Sequence, residues 1–141
     1  MRRAMAALAA LLVALAGITF LALESGGVAV VETHGAHGDT RSTHVWYVDD
    51  DGERWLEAGT PDNGWFVDVR VDPSLTLSTA EGSARYRAHP VENPVVHQRI
   101  RSLIRQKYGW RDRWVGFLIV DSSGSIPVRL EPIDADVAAG D

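Results

Sequence analysis

The densest set of residues able to do chemistry lies in His34-Gly-Ala-His-Gly-Asp-Thr-Arg-Ser-Thr-His-Val-Trp-Tyr-Val48, which offers three histidines, two glycines, an arginine and several hydroxyls. The stretch reads as a polar, Gly-rich turn running into an alternating strand. Gly35 and Gly38 would let backbone approach a ligand closely. His34, His37 and His44 carry no carboxylate–His helix motif, so they define no metal site. The chain has no cysteine, which excludes a disulfide framework, a thiolate metal site and a Cys nucleophile. Ser122-Ser-Gly-Ser125 lacks the Gly-x-Ser-x-Gly elbow of a serine hydrolase and reads as a hairpin turn. Asp49-Asp-Asp51 precedes Gly52, and Asp-Gly at a hairpin tip accounts for it better than a cation site does. Tyr47, His44 and Tyr108 are candidate proton donors, but no spacing selects one, and the catalytic residues stay unassigned.

The elements that would position this stretch follow from pattern. Gly27-Val-Ala-Val-Val-Glu-Thr33 before it reads as a buried strand, and Glu53-Arg-Trp-Leu-Glu-Ala58 after it as another. Three consecutive antiparallel strands would set Gly35 and Gly38 at the mouth of a barrel. Gly59-Thr-Pro-Asp-Asn-Gly64 is a loop. The next segment, Trp65 to Asp72, conflicts with itself: Trp65, Val67, Val69 and Val71 alternate like a strand, while Asn63 and Asp72-Pro73 frame a short helix. Ser74–Thr79 and Ala84–Val91 read as strands joined by the turn Ala80-Glu-Gly-Ser83. A helix begins at Asn93-Pro94, carries Val96, Ile100, Leu103, Ile104 and Tyr108 on one face, and stops at Gly109. Trp114–Asp121 and Ile126–Glu131 would close the chain as a hairpin across Ser122–Ser125. Many short strands with one long, late helix predict a small closed α+β barrel of six to seven mostly antiparallel strands.

Ahead of the barrel, Met1-Arg-Arg3 precedes an apolar run from Ala4 to Leu23, whose helix would be about 30 Å long, enough to cross a bilayer. An uncleaved anchor is the favoured reading. Its rivals are a signal peptide cleaved near Ala14-Leu-Ala16, and an amphipathic or core-packed helix. The paired arginines place that end inside and the domain outside, and they form a faint twin-arginine pattern. The expected division is an anchor or signal segment over 1–23, a barrel domain over 24–132 and a frayed tail over 133–141. The 141-residue chain carries a net charge of -5, which argues against nucleic-acid binding. Between Arg99 and Arg113, however, six basic residues stand against Asp112 alone. That segment could meet a phosphate-bearing cofactor or an anionic lipid surface, and contact with the protein's own acids is the favoured reading.

The order of strand, Gly-rich turn, strand, turn, strand, loop, Trp segment and strand pair resembles the deazaflavin (F420)-dependent nitroreductase family. That family has a split β-barrel shared with FMN-binding pyridoxamine-phosphate oxidases. Gly35-Ala-His-Gly38 and Arg41-Ser-Thr-His44 stand where the family has Gly-Arg-Lys-Ser-Gly and Arg-Thr-Thr-Pro. Ala58-Gly-Thr60 is similar to the family's Ala-Ser-rich strand end. Trp65-Phe-Val-Asp-Val-Arg-Val-Asp-Pro73 is similar to Trp-x-x-Asn-Leu-x-x-Asn-Pro, and Ile126-Pro-Val128 to its closing Ile-Pro-Val. The resemblance covers roughly residues 24 to 132 and makes Trp65 the start of a short helix.

By this resemblance the cofactor is deazaflavin F420, with FMN as the alternative, and the reaction is hydride transfer to a small-molecule electron acceptor. The implied cofactor residues are Gly38, Arg41, Ser42, Thr43, Ala58, Gly59, Thr60, Trp65 and Asp68. Arg41, Ser42 and Thr43 would meet phosphate, Trp65 or Trp46 would wall the ring, and backbone near Ala58 and Gly59 would face its polar edge. Two departures stand out: Ala36 and His37 replace the family's basic pair, and Asp68 replaces an amide with a pure acceptor. The function implied is a membrane-anchored reductase acting on a hydrophobic acceptor such as a quinone or nitro compound, with a homodimer expected. The alternative is a non-catalytic split-barrel module that has lost the cofactor.

Overall fold

The strand pattern folds into one curled antiparallel sheet in a computed structural model that describes residues 2–24, 27–118 and 124–133. Seven strands lie in the order β2-β1-β5-β6-β7-β4-β3. These are β1 Ala29–His34, β2 Thr40–Val45, β3 Tyr47–Asp50, β4 Glu53–Ala58, β5 Ser74–Thr79, β6 Gly82–Pro90 and β7 Ile126–Pro132. The helices are α1 Arg2–Glu24, α2 Gly64–Val71, α3 Pro94–Tyr108 and α4 Trp110–Leu118. The architecture is therefore α+β, a seven-stranded half-barrel with an apolar helix ahead of it.

The expected strand after the Gly-rich turn is two strands, divided at Trp46. Its first half pairs with β1 and its second with β4, so consecutive residues serve opposite edges of the sheet. One linking residue can join both edges only if the sheet curls round, which is how the chain encloses a core. Inward-facing residues alternate as the pleat requires: Ala29, Val31 and Thr33 on β1 stand opposite Val45, Thr43 and Arg41 on β2. The Asp-Gly turn forms as expected, with Asp51 and Gly52 both at positive φ, 51° and 82°.

Two apolar clusters result. One fills the half-barrel around Trp65, Phe66, Leu56, Leu77 and Val128; the other lies under α3, around Ile100, Ile104, Tyr108, Val48 and Trp55. The helix α3 starts as read, with the Asn93 side chain accepting from the Val95 and Val96 N–H groups. The helix α2 settles the conflicting Trp65 segment. It buries Trp65, Phe66, Asp68 and Val69 while Val67 and Val71 face out, a helical division that cancels the apparent alternation.

One expectation is overturned. Residues Trp114 to Leu118 belong to helix α4 rather than to a strand, and the rest of the expected strand and turn, 119–123, lies outside the described residues. The strand β7 pairs on one side with β6 and on the other with β4, which leaves no edge for a hairpin partner. Helix α4 lies instead beside α1. The expected tail beyond 133 also lies outside the described residues.

Candidate functional site

The inward face of the β1–β2 hairpin carries three polar positions, of which Thr33 and Arg41 stand directly opposite one another and Thr43 lies two residues along β2. A polar side chain on a buried register position needs a partner, and α2 provides it. Asp68, one turn into the helix, accepts from Thr33 Oγ1 at 2.8 Å and from Arg41 Nε at 2.8 Å, both on Oδ2. Asp68 keeps only 7% of its side chain exposed, whereas Arg41 keeps 45%. Burial pushes the Asp68 carboxyl up, but the hydrogen bonds from Arg41 and Thr33, with the Arg41 charge, outweigh it and hold the group below the usual carboxylate range. The pair is thus ionised, anchored on its acid side and open on its basic side.

Arg41 lies across the start of α2. A Cβ built on Gly64 would come within 2.9 Å of Arg41 Cζ and Nη1, so the absent side chain there is what lets the guanidinium seat. The helix begins at the same place, with the Asn63 carbonyl accepting from the Phe66 and Val67 N–H groups. Half-exposed guanidinium donors beside the positive end of a helix form a local field suited to an anion. The β1–β2 turn above is closed by Gly35 N–H to Asp39 O at 2.8 Å and Gly38 N–H to Gly35 O at 2.9 Å, with Gly38 at φ +82°.

The implied cofactor residues therefore divide. Arg41 and Asp68 are bonded, Trp65 is the second residue of the same helix, and Thr43 lies two residues along β2 on the inward face. Gly59 and Thr60 open the loop that leads into α2, where Asn63 N–H donates to Thr60 O at 3.1 Å. Ser42 sits on the opposite face of β2, across from Glu32, and Gly38 stands exposed at the hairpin tip. Ala58 and Trp65 are fully buried, Trp65 edge-on to Phe66 at 5.9 Å, so within this chain neither presents a surface to a ring.

The candidate proton donors fall elsewhere. Tyr108 O–H sits between Gly27 O and Tyr47 O at 3.2 Å each and accepts from Tyr47 N–H; burial pushes its phenol up to about 12. A proton held that tightly makes Tyr108 a poor general acid at neutral pH. Trp46 stacks on it at 4.4 Å, and Lys107 Nζ lies 3.4 Å from the centre of the Tyr47 ring. His44 is on the exposed outer face of β2, opposite Val30.

Sequence reasoning missed a second polar centre beneath α3. Arg101 donates to Glu57 Oε2 at 2.6 Å and to Asp112 Oδ1 at 2.7 Å, all three side chains being under a tenth exposed. Ser125 Oγ donates to Glu57 Oε1 at 2.6 Å and lies 2.8 Å from His97 Nε2. Here the serine stands between histidine and carboxylate, an order opposite to that of a nucleophilic triad, in which the histidine lies between the two. Part of the basic segment meets the protein's own acids: Arg99 pairs with Asp50 and Asp51, and Arg101 with Glu57 and Asp112.

The curled seven-stranded sheet has the fold of a split β-barrel. No family model matches the sequence, and neither does any curated protein. Solved structures do match. A conserved hypothetical protein from Mycobacterium tuberculosis, Rv2991, superposes with TM-score 0.60 at 23% identity, over 83% of this chain and 79% of that one. HutZ, the heme storage protein from Vibrio cholerae, gives TM-score 0.60 at 13% identity over 83% and 88%. An F420-H2 dependent reductase, FDR-A, gives 0.55 at 16% over 74% and 93%. The neighbours are split-barrel proteins of the pyridoxamine-phosphate-oxidase-like kind. At these identities the likeness establishes the fold.

Proposed function

We propose that the chain is a deazaflavin- or flavin-dependent oxidoreductase, held at a membrane by α1, that passes a hydride to a hydrophobic acceptor such as a quinone or nitro compound. The observation that carries the reading is Arg41: a half-exposed guanidinium seated over the first residue of α2, where Gly64 leaves it room. Its neighbourhood suits the phosphate-bearing chain of such a cofactor, with Thr43 and the Gly38 turn on the same hairpin and Gly59–Thr60 on the adjoining loop. An F420-H2 dependent reductase among the structural neighbours supports the same class. The reduced ring would supply the hydride. The protein's own residues bind and orient: Arg41 holds the anionic end, and Asp68 fixes the angle of the guanidinium. A lipid-soluble acceptor fits a domain tethered by α1, whose Arg3–Leu21 stretch has mean hydropathy 2.4 and none of it buried.

A second reading, a binding module without redox chemistry, is favoured by one observation: Asp68 already occupies Arg41 and weakens its pull on an anion. Titration separates them. The full chain in nanodiscs should quench deazaflavin or flavin fluorescence at micromolar concentrations, and Arg41→Ala should weaken this about tenfold or more. Quenching by flavin alone reassigns the cofactor. No change with either leaves the module, for which hemin, prompted by HutZ, is the next probe.

A further inference from the structure

A polar contact joins the apolar helix to the barrel domain. Trp114 Nε1–H on α4 donates to Thr19 Oγ1 on α1 at 3.1 Å, and the Thr19 hydroxyl donates back to Leu15 O at 2.8 Å. Thr19 lies within the Arg3–Leu21 stretch. The indole is thus held at the level of the last turns of the anchor. A second tie, Tyr108 O–H to Gly27 O at 3.2 Å, fixes the end of α3 beside the chain that leaves α1.

The two ties set a direction. Moving forward from Tyr108 to Trp114 moves the partner backward from Gly27 to Thr19, so α4 descends alongside α1 toward the bilayer. Coverage on α1 agrees, since Leu15 and Ile18 are 36% and 39% exposed against 57% for Leu12 and 72% for Val13, and Thr19 is half-buried. Positions 15, 18 and 19 form one stripe at helical spacing. In hydrocarbon a hydroxyl or indole N–H without a partner is heavily penalised, and here both donors are met, the indole by Thr19 Oγ1 and the hydroxyl by Leu15 O.

The sequence of α4 suits the same place. Trp114-Val-Gly-Phe-Leu-Ile-Val120 is uninterrupted apolar, its last two residues lying outside the described residues. Ahead of it come Trp110, nearly half exposed, the Arg111 guanidinium 5.3 Å from the Trp110 ring centre, and exposed Arg113. Trp and Arg are the side chains that settle at the headgroup level, where Arg meets lipid phosphate. We propose that α4 is a second membrane contact, a monotopic segment whose C-terminal half enters the leaflet on the barrel side, next to α1, with Trp110 and Arg113 at the headgroups. This rests on reading α1 as a membrane span. It makes the barrel sit flush on the bilayer rather than swing on a tether, so that the domain's approach to a lipid-soluble molecule is fixed.

The natural absence of cysteine permits single nitroxide labels on the full chain. Labels at Leu12→Cys, Val115→Cys and Ser83→Cys, in phosphatidylcholine–phosphatidylglycerol vesicles, are compared for collision with oxygen, which concentrates in lipid, and with a water-soluble nickel chelate. Position 115 should behave like position 12, its nickel accessibility about tenfold below that of position 83. Thr19→Val, which removes the acceptor for Trp114, should raise nickel access at 115 and leave 12 unchanged. If 12 is in lipid and 115 matches 83, the α4 proposal is overturned while the anchor stands. If 12 itself meets nickel as 83 does, the anchor reading falls and this proposal with it.

Discussion

Of the arginine–carboxylate ties that hold helices to the sheet, those of Arg101 and Arg41 differ in what surrounds them. Arg101 is closed in beneath α3, its guanidinium shared between Glu57 and Asp112 with all three side chains under a tenth exposed. Arg41 is anchored on an equally buried acid, Asp68, yet keeps 45% of its own side chain open. The same pairing serves two purposes. An enclosed cation flanked by two acids has no room for a further anion and acts as a fastener for α3 and α4. A cation fixed at one nitrogen and open at the others is oriented for a ligand, because its rotamer entropy is already spent on the protein.

The comparison breaks most easily at Arg101. Arg101→Ala would strand two carboxylates in a buried site, and a loss of roughly 3–5 kcal/mol in denaturant unfolding is expected. Arg101→Met combined with Glu57→Gln and Asp112→Asn should recover most of it, since neutral groups carry no such desolvation penalty. If the single variant unfolds like the parent, the cluster is no fastener and the contrast dissolves. Arg41→Ala should cost less, about 1–3 kcal/mol, because Thr33 still donates to Asp68. On the proposed function its larger effect should fall on deazaflavin or flavin affinity.

Legibility in the sequence tracks locality. The Asn93-Pro94 cap, the Gly109 stop and the Asp51-Gly52 turn were readable because each is decided within a few residues. Trp114–Leu118 was not, because an apolar run of that length suits strand or helix alike, and β7 already has partners on both sides. The break at Trp46 is likewise a property of sheet closure, invisible in a stretch that alternates smoothly. In the site, Arg41 and Asp68 were singled out separately through family resemblance, but nothing along the chain joined them, for their contact spans 27 residues. Thr33 does carry a signal in the sequence: it falls on the inward register of Ala29 and Val31, where a hydroxyl implies a buried partner. Glu57 and Arg101, 44 residues apart, left none beyond their charge.

Acid sharpens the contrast through Asp68. Its folded carboxyl titrates below the usual range, so its charge adds stability above the unfolded carboxylate pKa and loses that contribution as pH falls through the folded value. Asp68→Asn should therefore sit below the parent in melting temperature at neutral pH and converge on it in acid. The same variant frees Arg41 of its counter-charge, so deazaflavin or flavin affinity should rise by about threefold at neutral pH. A fall in affinity would mean that orientation by the carboxylate matters more than the charge it cancels.

Gly64→Ala separates those two contributions with the smallest disturbance. The new methyl would lie 2.9 Å from Arg41 Cζ and Nη1, closer than carbon tolerates, but the colliding atoms are the free end of a flexible side chain. Arg41 should swing aside while the backbone stays, and Ala at the first helical position offsets part of any loss through its better helix propensity. The melting temperature should change little. Affinity should drop about fivefold with both charges still present, because the guanidinium no longer lies over the start of α2. Unchanged affinity, with Arg41→Ala still weak, would assign the anion's attraction to the charge of Arg41 wherever it rests. Loss of fold would show that α2 and the hairpin meet too tightly at Gly64 for Arg41 to yield, and the open side of the site would then be narrower than its exposure suggests.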